Sequence, residues 1–300
     1  MFILKYKTFF LSLSALAVII SIFSIFSFGL KKSIDFTGGA TAVVGYVPAA
    51  QVDAAKIKNV LAADFGEVKV TGLVNGEYKL SLRDMKEADF AKFQNALTSL
   101  STTVSVKEFT MKGPSISKEV TQKAILGFIL VVLAIILFVS FSFYGASASV
   151  SSFKYGIITI IALLHDIIIP TGIFAYLGYS QGIEVDSLFV VALLTILGVS
   201  VSDTIVVFDR IRENLKHVKN QSFEYIVGLS LNQSFVRSLA TSVSVIMVLL
   251  ALSIFGPEST RYFAITLTIG MFVGTYSSLF VASPLLVLAS KYFGKKALVK

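Results

Sequence analysis

Charged residues inside long apolar stretches are the first feature of this sequence that could do chemistry. His165 and Asp166 lie in the middle of one stretch, Asp203 lies near the end of the next, and Arg237 lies at the start of a third. An ionised Asp or Arg at the centre of a bilayer costs about 2.5 to 3.5 kcal/mol on insertion scales. Because charges in such places usually serve a function, we expect ion or proton chemistry at these four residues.

Hydroxylated residues surround two of these charges. Ser202 and Thr204 flank Asp203. Arg237 belongs to a polar stripe with helical spacing, formed by Ser234, Arg237, Thr241 and Ser244. A nearby positive charge favours the ionised form of a carboxyl group. A helix movement that brings Arg237 closer to Asp203, or takes it away, would therefore make the acid release or take up a proton.

Purely structural interpretations of the same residues stay open. Asp203 could be paired permanently with Arg237 in a bundle that uses Ser and Thr hydroxyls as interhelical contacts. Arg237 could instead extend its side chain to the lipid headgroups. His165 could be a neutral buried histidine that donates to a carbonyl, beside an Asp166 that is always protonated.

Enzyme chemistry finds little support in the sequence. There is no Cys, and the second histidine, His217, lies in a polar connection far from His165, so no metal site is predicted. An intramembrane protease would need a Ser-His dyad or paired aspartates, and Asp166 with Asp203 is the candidate pair. We expect a protein that is not an enzyme and that has no cofactor.

Six apolar stretches position these residues. Each approaches the roughly 20 residues that a helix needs to cross a bilayer core of about 30 Å. They are Phe9–Leu30, Ala124–Phe143, Tyr155–Leu177, Leu188–Phe208, Val236–Phe255 and Tyr262–Ala289. The first stretch is longer than the apolar region of a cleaved signal peptide, and we interpret it as an uncleaved anchor. The sequence predicts a polytopic α-helical membrane protein.

The charges are concentrated in one block of the chain. Between Lys31 and Lys123, 23 of 93 residues are charged, whereas the whole chain of 300 residues contains 44 charged residues. The block has the charge content of an ordinary soluble domain. One soluble module is therefore expected within a membrane protein, which excludes a disordered chain and a conventional soluble enzyme.

This block has the pattern of a β-α-β-β-α-β domain. Strands are predicted at 40–47, 67–74, 78–83 and 103–111, and helices at 49–65 and 86–100. Asn75-Gly76 is a strong hairpin signal between the second and third strands. The order is that of the ferredoxin-like fold. We find no catalytic pattern within it, and we expect a binding or moving module.

The basic residues of the short connections predict the orientation. One side of the membrane would hold Lys5, Lys7, Lys154, Arg210, Arg212, Lys216, Lys219, Lys291, Lys295, Lys296 and Lys300, and the other side's short loops would hold Arg261. Lys and Arg accumulate on the cytoplasmic side. Both termini are therefore predicted to be cytoplasmic, with the charged block outside. The net charge of +8 follows from these flanking residues, and no nucleic-acid partner is expected.

Several motifs resemble those of the SecD/SecF family of protein-export membrane proteins, and specifically its SecF members, within the RND superfamily. The matching segments cover the whole chain. They are Ile34 to Gly39, including Asp35, Gly38 and Gly39; Gly113-Pro114-Ser115; His165-Asp166; Ser202 to Asn214, including Asp209 and Arg210; and Asn232-Gln233-Ser234 with Arg237 and Thr241-Ser242. The family usually has Asn where this chain has Ser202.

The resemblance implies an architecture and a function. It implies six transmembrane helices of RND type with a ferredoxin-like extracytoplasmic domain between the first and second helices. The expected segments are residues 1–32 for the first helix and its cytoplasmic start, 33–118 for the outer domain, 119–290 for helices two to six, and 291–300 for a cytoplasmic tail. The implied function is to use the proton-motive force to promote preprotein translocation and release at the outer face. The family's membrane acid and arginine fall on Asp203 and Arg237.

The resemblance also implies partners and a location. SecD as a separate chain, the SecYEG translocon, YajC, the translocating preprotein and, indirectly, SecA are the expected partners, in the bacterial inner membrane. Two questions stay open from sequence. An Asp with neighbouring hydroxyls can serve H⁺ or Na⁺, and the alternative function is an RND-like half-transporter that exports a lipid or small amphiphile.

Overall fold

The computed structural model of the chain describes residues 2–46, 52–73, 76–82, 85, 87–101, 103–142 and 152–293. In chain order its helices are α1 (Phe2–Lys5), α2 (Lys7–Phe28), α3 (Ile34–Thr37), α4 (Ala54–Phe65), α5 (Phe90–Leu100), α6 (Pro114–Ser142), α7 (Ser152–Gln181), α8 (Ser187–His217), α9 (Phe223–Phe255), α10 (Glu258–Ser277) and α11 (Ser283–Phe293). Within these residues, six helical stretches are long and apolar enough to cross a membrane. The predicted number of spans is confirmed.

Several of these helices extend past the apolar stretches that predicted them. Helix α8 continues beyond the predicted end at Phe208 to His217, and α9 begins at Phe223 rather than at Val236. Apolarity marks the part of a helix that suits lipid, whereas backbone hydrogen bonding continues into polar flanks. At the start of α9, the Ser222 hydroxyl accepts a hydrogen bond from the backbone N–H of Tyr225 at 3.2 Å, which satisfies one of the free donors of the first turn.

The last span is not a continuous α-helix. A π-helical turn, Ser278–Ala282, separates α10 from α11. The Ser283 hydroxyl donates to the carbonyl of Ser278 at 3.3 Å and so satisfies an acceptor of this turn. Turns of this kind inside α-helices occur often at functional sites. The apolar pattern predicted one uninterrupted helix, because hydropathy does not distinguish α from π geometry.

The charged block folds as the predicted α+β domain. Its strands are β1 (Gly39–Tyr46), β2 (Val68–Gly72), β3 (Glu77–Leu82) and β4 (Val104–Lys112). They form one sheet in the order β2-β3-β1-β4, and each neighbouring pair is antiparallel. This order is the one that a β-α-β-β-α-β chain adopts in the ferredoxin-like fold. Gly76 has a φ of 73°, as a tight hairpin turn requires, whereas Asn75 lies outside the described residues.

The two long helices of this domain, α4 and α5, provide one side of its core. Ile57, Leu61, Phe93 and Leu97 are fully buried with strand residues such as Leu80. Their spacings of four residues place each helical pair on one face, as the apolar pattern predicted.

The chain forms two compact units. The sheet unit consists of Lys31–Leu126 and Gln181–Ser187, and the helical unit consists of Met1–Leu30, Gly127–Ser180 and Leu188–Lys300. The short connection between α7 and α8 thus belongs with the sheet domain. No pattern in the sequence indicates this association, because it joins segments about 150 residues apart.

Within the helical unit, the spans differ strongly in burial. In the most apolar window of each span, 72% of residues are buried for Glu258–Lys291 and 56% for Phe153–Gln181, but 11% for Phe223–Phe255 and 6% for Pro114–Val139. Helices α7, α8 and α10 therefore form the packed centre of the unit. Helices α2, α6 and α9 leave most of their apolar surface uncovered by this chain.

Candidate functional site

Asp166 lies at the packed centre of the helical unit and is fully buried. Its Oδ2 accepts hydrogen bonds from the hydroxyl of Ser200 on α8 and from the hydroxyl of Ser277 on α10, the latter at 2.8 Å. Its Oδ1 lies 2.9 Å from Nδ1 of His165. A buried carboxyl group is tolerated only when its oxygens are hydrogen-bonded. One carboxyl group therefore holds three helices together.

His165 completes this cluster and has one ring nitrogen free to react. Its side chain is 5% exposed, and Nε2 finds no hydrogen-bond partner among the described residues. The ring stacks on Tyr276, with 6.3 Å between ring centroids. The Tyr276 hydroxyl in turn donates to the carbonyl of Phe10 on α2 at 3.0 Å. Nδ1 thus faces the carboxylate, and Nε2 is the ring nitrogen without a partner within the described residues.

The approach of α10 to α8 depends on glycine. A Cβ atom added to Gly274 would lie 3.2 Å from Cβ of Ser200 and 3.7 Å from Oδ2 of Asp166. Gly270, one turn earlier, faces Ile196 so closely that a Cβ would overlap its side chain. Small residues four apart allow two helices to pack closely, and this close packing brings the Ser200 hydroxyl to the carboxylate.

Asp203 occupies a different environment on α8. It is half-buried, and Ser242 on α9 and Arg237 are polar groups near its carboxyl group. Ser242 also accepts a hydrogen bond from the Thr275 hydroxyl of α10 at 2.6 Å. Both residues are described, and no nitrogen of Arg237 comes within 4.0 Å of a carboxylate oxygen of Asp203, so the two do not form an ion pair here.

The remaining predicted residues around Asp203 point in two directions. Thr204 is buried and its hydroxyl lies 2.8 Å from that of Ser278 in the π-helical turn. Ser202 and Arg237 are exposed on the surface of the unit. Ser202 forms no hydrogen bond within the described part of the chain. The hydroxyl near the carboxyl group of Asp203 is that of Ser242.

A narrow crevice between α8 and α10 lies beside Asp203. Its lining residues come from α8 and α10 and are Ile196, Val199, Ser200, Asp203, Gly270, Met271, Gly274 and Thr275. Ser200 is common to both sites, since it lines this crevice and donates to Asp166. Hydroxyl groups both donate and accept hydrogen bonds. The Ser200 hydroxyl therefore lies between the crevice beside Asp203 and the carboxylate of Asp166.

The described residues contain no group of three or more His, Asp or Glu side chains that could hold a metal ion. The chemistry that these side chains can perform is proton exchange and coordination of a small cation by carboxylate and hydroxyl oxygens.

Asp209 and Arg210 lie one to two turns further along α8. Arg210 pairs with Glu213 at 2.7 Å on the exposed side of the helix, and Asp209 is exposed. One turn after Arg210, Nδ2 of the buried Asn214 donates to the Ser230 hydroxyl and to Oε1 of Gln233, both at 2.8 Å. This part of the motif therefore fixes α8 against α9.

The Asp35 motif is in the sheet unit. Oδ1 of Asp35 accepts a hydrogen bond from Nζ of Lys112 at 2.7 Å, and Oδ2 accepts from the backbone N–H of Ser187 at 2.8 Å and from the Ser187 hydroxyl. Gly38 and Gly39 have φ values of 79° and 116°, which glycine adopts without strain. They turn the chain from α3 into β1.

The hydrogen bonds also decide the charge of Asp35. Partial burial raises the pKa of this carboxyl group, but the hydrogen bonds from Lys112 and Ser187 and the positive charge of Lys112 outweigh that effect. The pKa lies below its ordinary value of 3.8, so the group is ionised at neutral pH and at the pH of a mildly acidic outer medium.

Sequence reasoning identified Asp166, Asp203 and Arg237 but missed the residues that surround them. The missed partners are Ser200, Gly274, Thr275 and Ser277, whereas Ser242 was named only as part of a segment that matches the family. One available signal was the spacing Gly270, Gly274, Ser278, a repeat of small residues every four positions that marks a helix contact face. Ser187, which donates hydrogen bonds to Asp35, carried no such signal, because its neighbours in the sequence are those of an ordinary helix start.

Known proteins resemble this chain over nearly its full length. Residues 92–292 match the family described as protein export membrane protein SecD/SecF, C-terminal, and residues 23–50 match the SecD/SecF GG motif. The protein translocase subunit SecF of Thermobaculum terrenum is 39% identical over 298 residues, which are 95% of this chain and 92% of that protein. The subunit of the same name from Haemophilus influenzae is 32% identical over 276 residues, 90% of this chain and 80% of the relative.

A solved structure is similar as well. The crystal structure of SecDF, a translocon-associated membrane protein from Thermus thermophilus, superposes with a TM-score of 0.81 at 28% identity. The match covers 96% of this chain but 38% of the SecDF chain. This chain therefore corresponds to a little over a third of that protein.

Proposed function

This chain belongs to the SecD/SecF family as one of its SecF-type protein translocase subunits, and from that premise we propose that it uses the proton-motive force to promote preprotein translocation and release at the outer face of the membrane. The family assignment leaves the energy source and the step at which it acts to be argued from the residues. It also takes precedence over the lipid-exporter alternative, which no contact among the described residues supports.

The observation that carries the proposal is the pair of acids on adjacent helices with Ser200 between them. Asp166 is sealed and hydrogen-bonded, whereas Asp203 is half-buried beside a crevice that Ser200 also lines. A proton entering at Asp203 has a hydroxyl route towards Asp166 and the free Nε2 of His165. Acidic residues with hydroxyl neighbours inside a membrane are typical of proton pathways.

Arg237 would couple the protonation state of Asp203 to a change in the structure. When Asp203 is ionised, attraction draws the guanidinium and the carboxylate together, and when Asp203 is protonated the attraction is lost. Because the two groups are not in an ion pair here, the distance between them is free to change. One charge that crosses a potential of 100 mV releases about 2.3 kcal/mol, so a few protons could drive a helix movement that the outer domain uses on a preprotein.

A separate SecD chain would supply the rest of the conduit. The matched SecDF chain is much longer than this one, and Arg237, Ser202 and Thr241 present polar groups on an exposed helix surface that would be unfavourable against lipid. We place SecD over this surface. SecYEG, SecA, YajC and the preprotein are the further partners, in the bacterial inner membrane with both termini in the cytoplasm.

Replacement of Asp203 by Asn tests the proposal directly. The variant keeps the size of the side chain but cannot exchange a proton. Membrane vesicles that contain the variant, SecD and SecYEG would receive an imposed pH gradient, and release of an exported protein at the outer face would be followed. We expect the gradient-dependent part of release to fall at least about tenfold, equivalent to about 1.4 kcal/mol of coupling.

The matched control is Asp64→Asn, which changes an exposed carboxyl group of α4 in the same way and should leave release unchanged. Full gradient-dependent release by Asp203→Asn would refute proton coupling at this acid. A second arm replaces the pH gradient with a Na⁺ gradient, and a response to Na⁺ alone would assign the coupling to Na⁺ rather than H⁺.

A further inference from the structure

Asp35 contacts the first residue of a helix that lies far from it in the sequence. Its carboxylate accepts two hydrogen bonds from Ser187, the first residue of α8, although the two residues are 152 positions apart. The first N–H groups of a helix lack partners within the helix, and negative charge is favourable there. Asp35 therefore caps α8 from a distant part of the chain.

The capped end of α8 is also held by backbone pairing. The N–H of Val185 donates to the carbonyl of Lys31 at 2.7 Å, and the N–H of Ser33 donates to the carbonyl of Val185 at 2.9 Å. These bonds form a short parallel bridge between Lys32 and Val185. The segment before α8 thus continues a strand-like contact with the segment that precedes β1.

A third contact joins this segment to the sheet itself. Nζ of Lys69, in β2, lies 2.7 Å from Oε1 of Glu184 and 2.6 Å from the carbonyl of Gly182. The Glu184 side chain is 15% exposed, so this ion pair is better shielded from water than an ordinary surface pair. The connection between α7 and α8 is therefore attached at its beginning, middle and end.

On its other side, Asp35 is attached to the base of the sheet domain. Lys112, which donates to Oδ1, is the last residue of β4. The hydroxyl of Ser117 on α6 donates to the carbonyl of Ile34 at 3.0 Å, and Gly38 packs against the backbone of Lys112 and Pro114. The one-turn helix α3 that carries Asp35 is consequently fixed to β1, β4 and the start of α6.

Helix α8 connects this attachment to Asp203. The helix is continuous from Ser187 to His217, and the 16 residues from Ser187 to Asp203 span about 24 Å at a rise of about 1.5 Å per residue. A continuous helix transmits axial displacement along its length because its backbone hydrogen bonds resist stretching. Displacement of α8 near Asp203 would therefore reach Ser187.

We propose that Asp35 is the positioning residue of a closed joint, formed with Ser187, Lys112 and the Lys32–Val185 bridge, that carries the movement of α8 to the sheet domain. The inference rests on the proposed function, since it supplies the mechanical link between ion exchange at Asp203 and work on a preprotein. The joint stays closed throughout the cycle. Asp35 itself exchanges no proton in this role, and its low pKa keeps the carboxylate ionised while protons pass elsewhere.

The test combines a variant that opens the joint with a cross-link that closes it. Asp35→Asn removes the charge that binds Lys112 and weakens acceptance from Ser187. A cysteine pair, Lys32→Cys with Val185→Cys, places a disulfide across the backbone bridge, where neighbouring strands lie about 4.8 Å apart, within the range that disulfides span. Because the chain has no cysteine of its own, the cross-link is unambiguous and can be reversed with a reductant.

The expected result has three parts. Asp35→Asn lowers gradient-dependent release by roughly fivefold or more, the lower end of typical coupling between sites, while Asp64→Asn does not. The oxidised cysteine pair leaves release unchanged when Asp35 is present. In the Asp35→Asn background the same pair restores release when oxidised and loses it again on reduction, a rescue that a general folding defect would not show.

Three results would overturn the joint. They are normal gradient-dependent release by Asp35→Asn, failure of the oxidised pair to restore release in that background, and a block of release by the oxidised pair in the otherwise unchanged chain. The unchanged chain, measured in the same vesicles, separates this inference from its premise. If the unchanged chain shows no gradient-dependent release, the proposed function itself fails.

Discussion

Asp166 and Asp203 lie on neighbouring helices of one unit, yet the structure treats the two carboxyl groups differently. Asp166 is fully buried and contacts His165, Ser200 and Ser277. Asp203 is half-buried, lies near Ser242 and has no ion-pair partner among the described residues. The first acid has its hydrogen-bonding capacity filled by fixed neighbours, whereas the second has capacity to spare.

This difference separates a fixed part of the site from an adjustable part. Three helices depend on Asp166, so its position cannot change without repacking of α7, α8 and α10. Asp203 is not held by several helices in this way, so a shift of its side chain towards Arg237 would disturb fewer contacts. We therefore expect any structural change to occur around Asp203, and we expect Asp166 to keep its position.

The largest effect that would test this comparison concerns stability. Asp166→Ala leaves the hydroxyls of Ser200 and Ser277 and a nitrogen of His165 without their acceptor, and each unsatisfied buried group costs about 1 to 3 kcal/mol. After the hydroxyls find other carbonyls, we expect a net loss of about 2 to 3 kcal/mol in the free energy of unfolding, measured by thermal or denaturant unfolding in detergent.

Asp203→Ala is the matched control for that measurement, and it should cost less than about 1 kcal/mol because the nearby Ser242 hydroxyl keeps its acceptor, the carbonyl of Ser238. Asp166→Asn, which keeps an acceptor oxygen, should fall between the two. Equal losses for the two alanine variants would contradict the division into a fixed and an adjustable acid.

A smaller effect is expected from Arg237→Met, which keeps a long side chain but removes the charge. If Arg237 responds to the protonation of Asp203, gradient-dependent release should fall about tenfold, equivalent to about 1.4 kcal/mol, with little change in unfolding. Arg237→Lys, which keeps a positive charge, should retain more activity than Met. Normal release by Arg237→Met would show that this side chain only extends to the lipid headgroups.

The smallest effect concerns the helix contact that joins the two sites. Gly274→Ala would place a Cβ 3.2 Å from Cβ of Ser200, and overpacking of this kind costs about 1 kcal/mol or somewhat more. Gly198→Ala is the control on α8, since a Cβ there meets nothing within 4 Å. We expect thermal unfolding to shift downward for Gly274→Ala and not for Gly198→Ala. A reversed order would mean that α8 and α10 are not held at this distance.

Much of the architecture was predictable from the sequence because its signals are local. Helical apolar stretches of sufficient length predicted the six spans, and alternation with turn residues predicted the strands of the sheet domain. The same holds for Asp166, Asp203 and Arg237, which are conspicuous because charge is rare within apolar stretches. The packing face of α10 was not predicted, although the spacing of Gly270, Gly274 and Ser278 marks it.

The partners of these residues could not be predicted for a physical reason. A period of 3.6 residues shows which side chains share a face of a helix, but every apolar span offers several faces and nothing local selects the neighbour. Ser277 reaches Asp166 across 111 positions of sequence, and Thr275 meets Ser242 across 33. Serine and threonine are also common in membrane helices, so their presence alone does not mark a site.

The sequence by itself determined which features are exceptional: a ferredoxin-like domain within six apolar spans, two acids and an arginine where charge is costly, and a motif that includes Asp35. Only the tertiary structure decided what those residues meet. It sealed Asp166 among three helices, left Asp203 adjustable, and brought Asp35 to the first residue of α8. The reason is that charge and hydropathy are properties of single segments, whereas a hydrogen bond requires two segments whose relative position only the packed chain establishes.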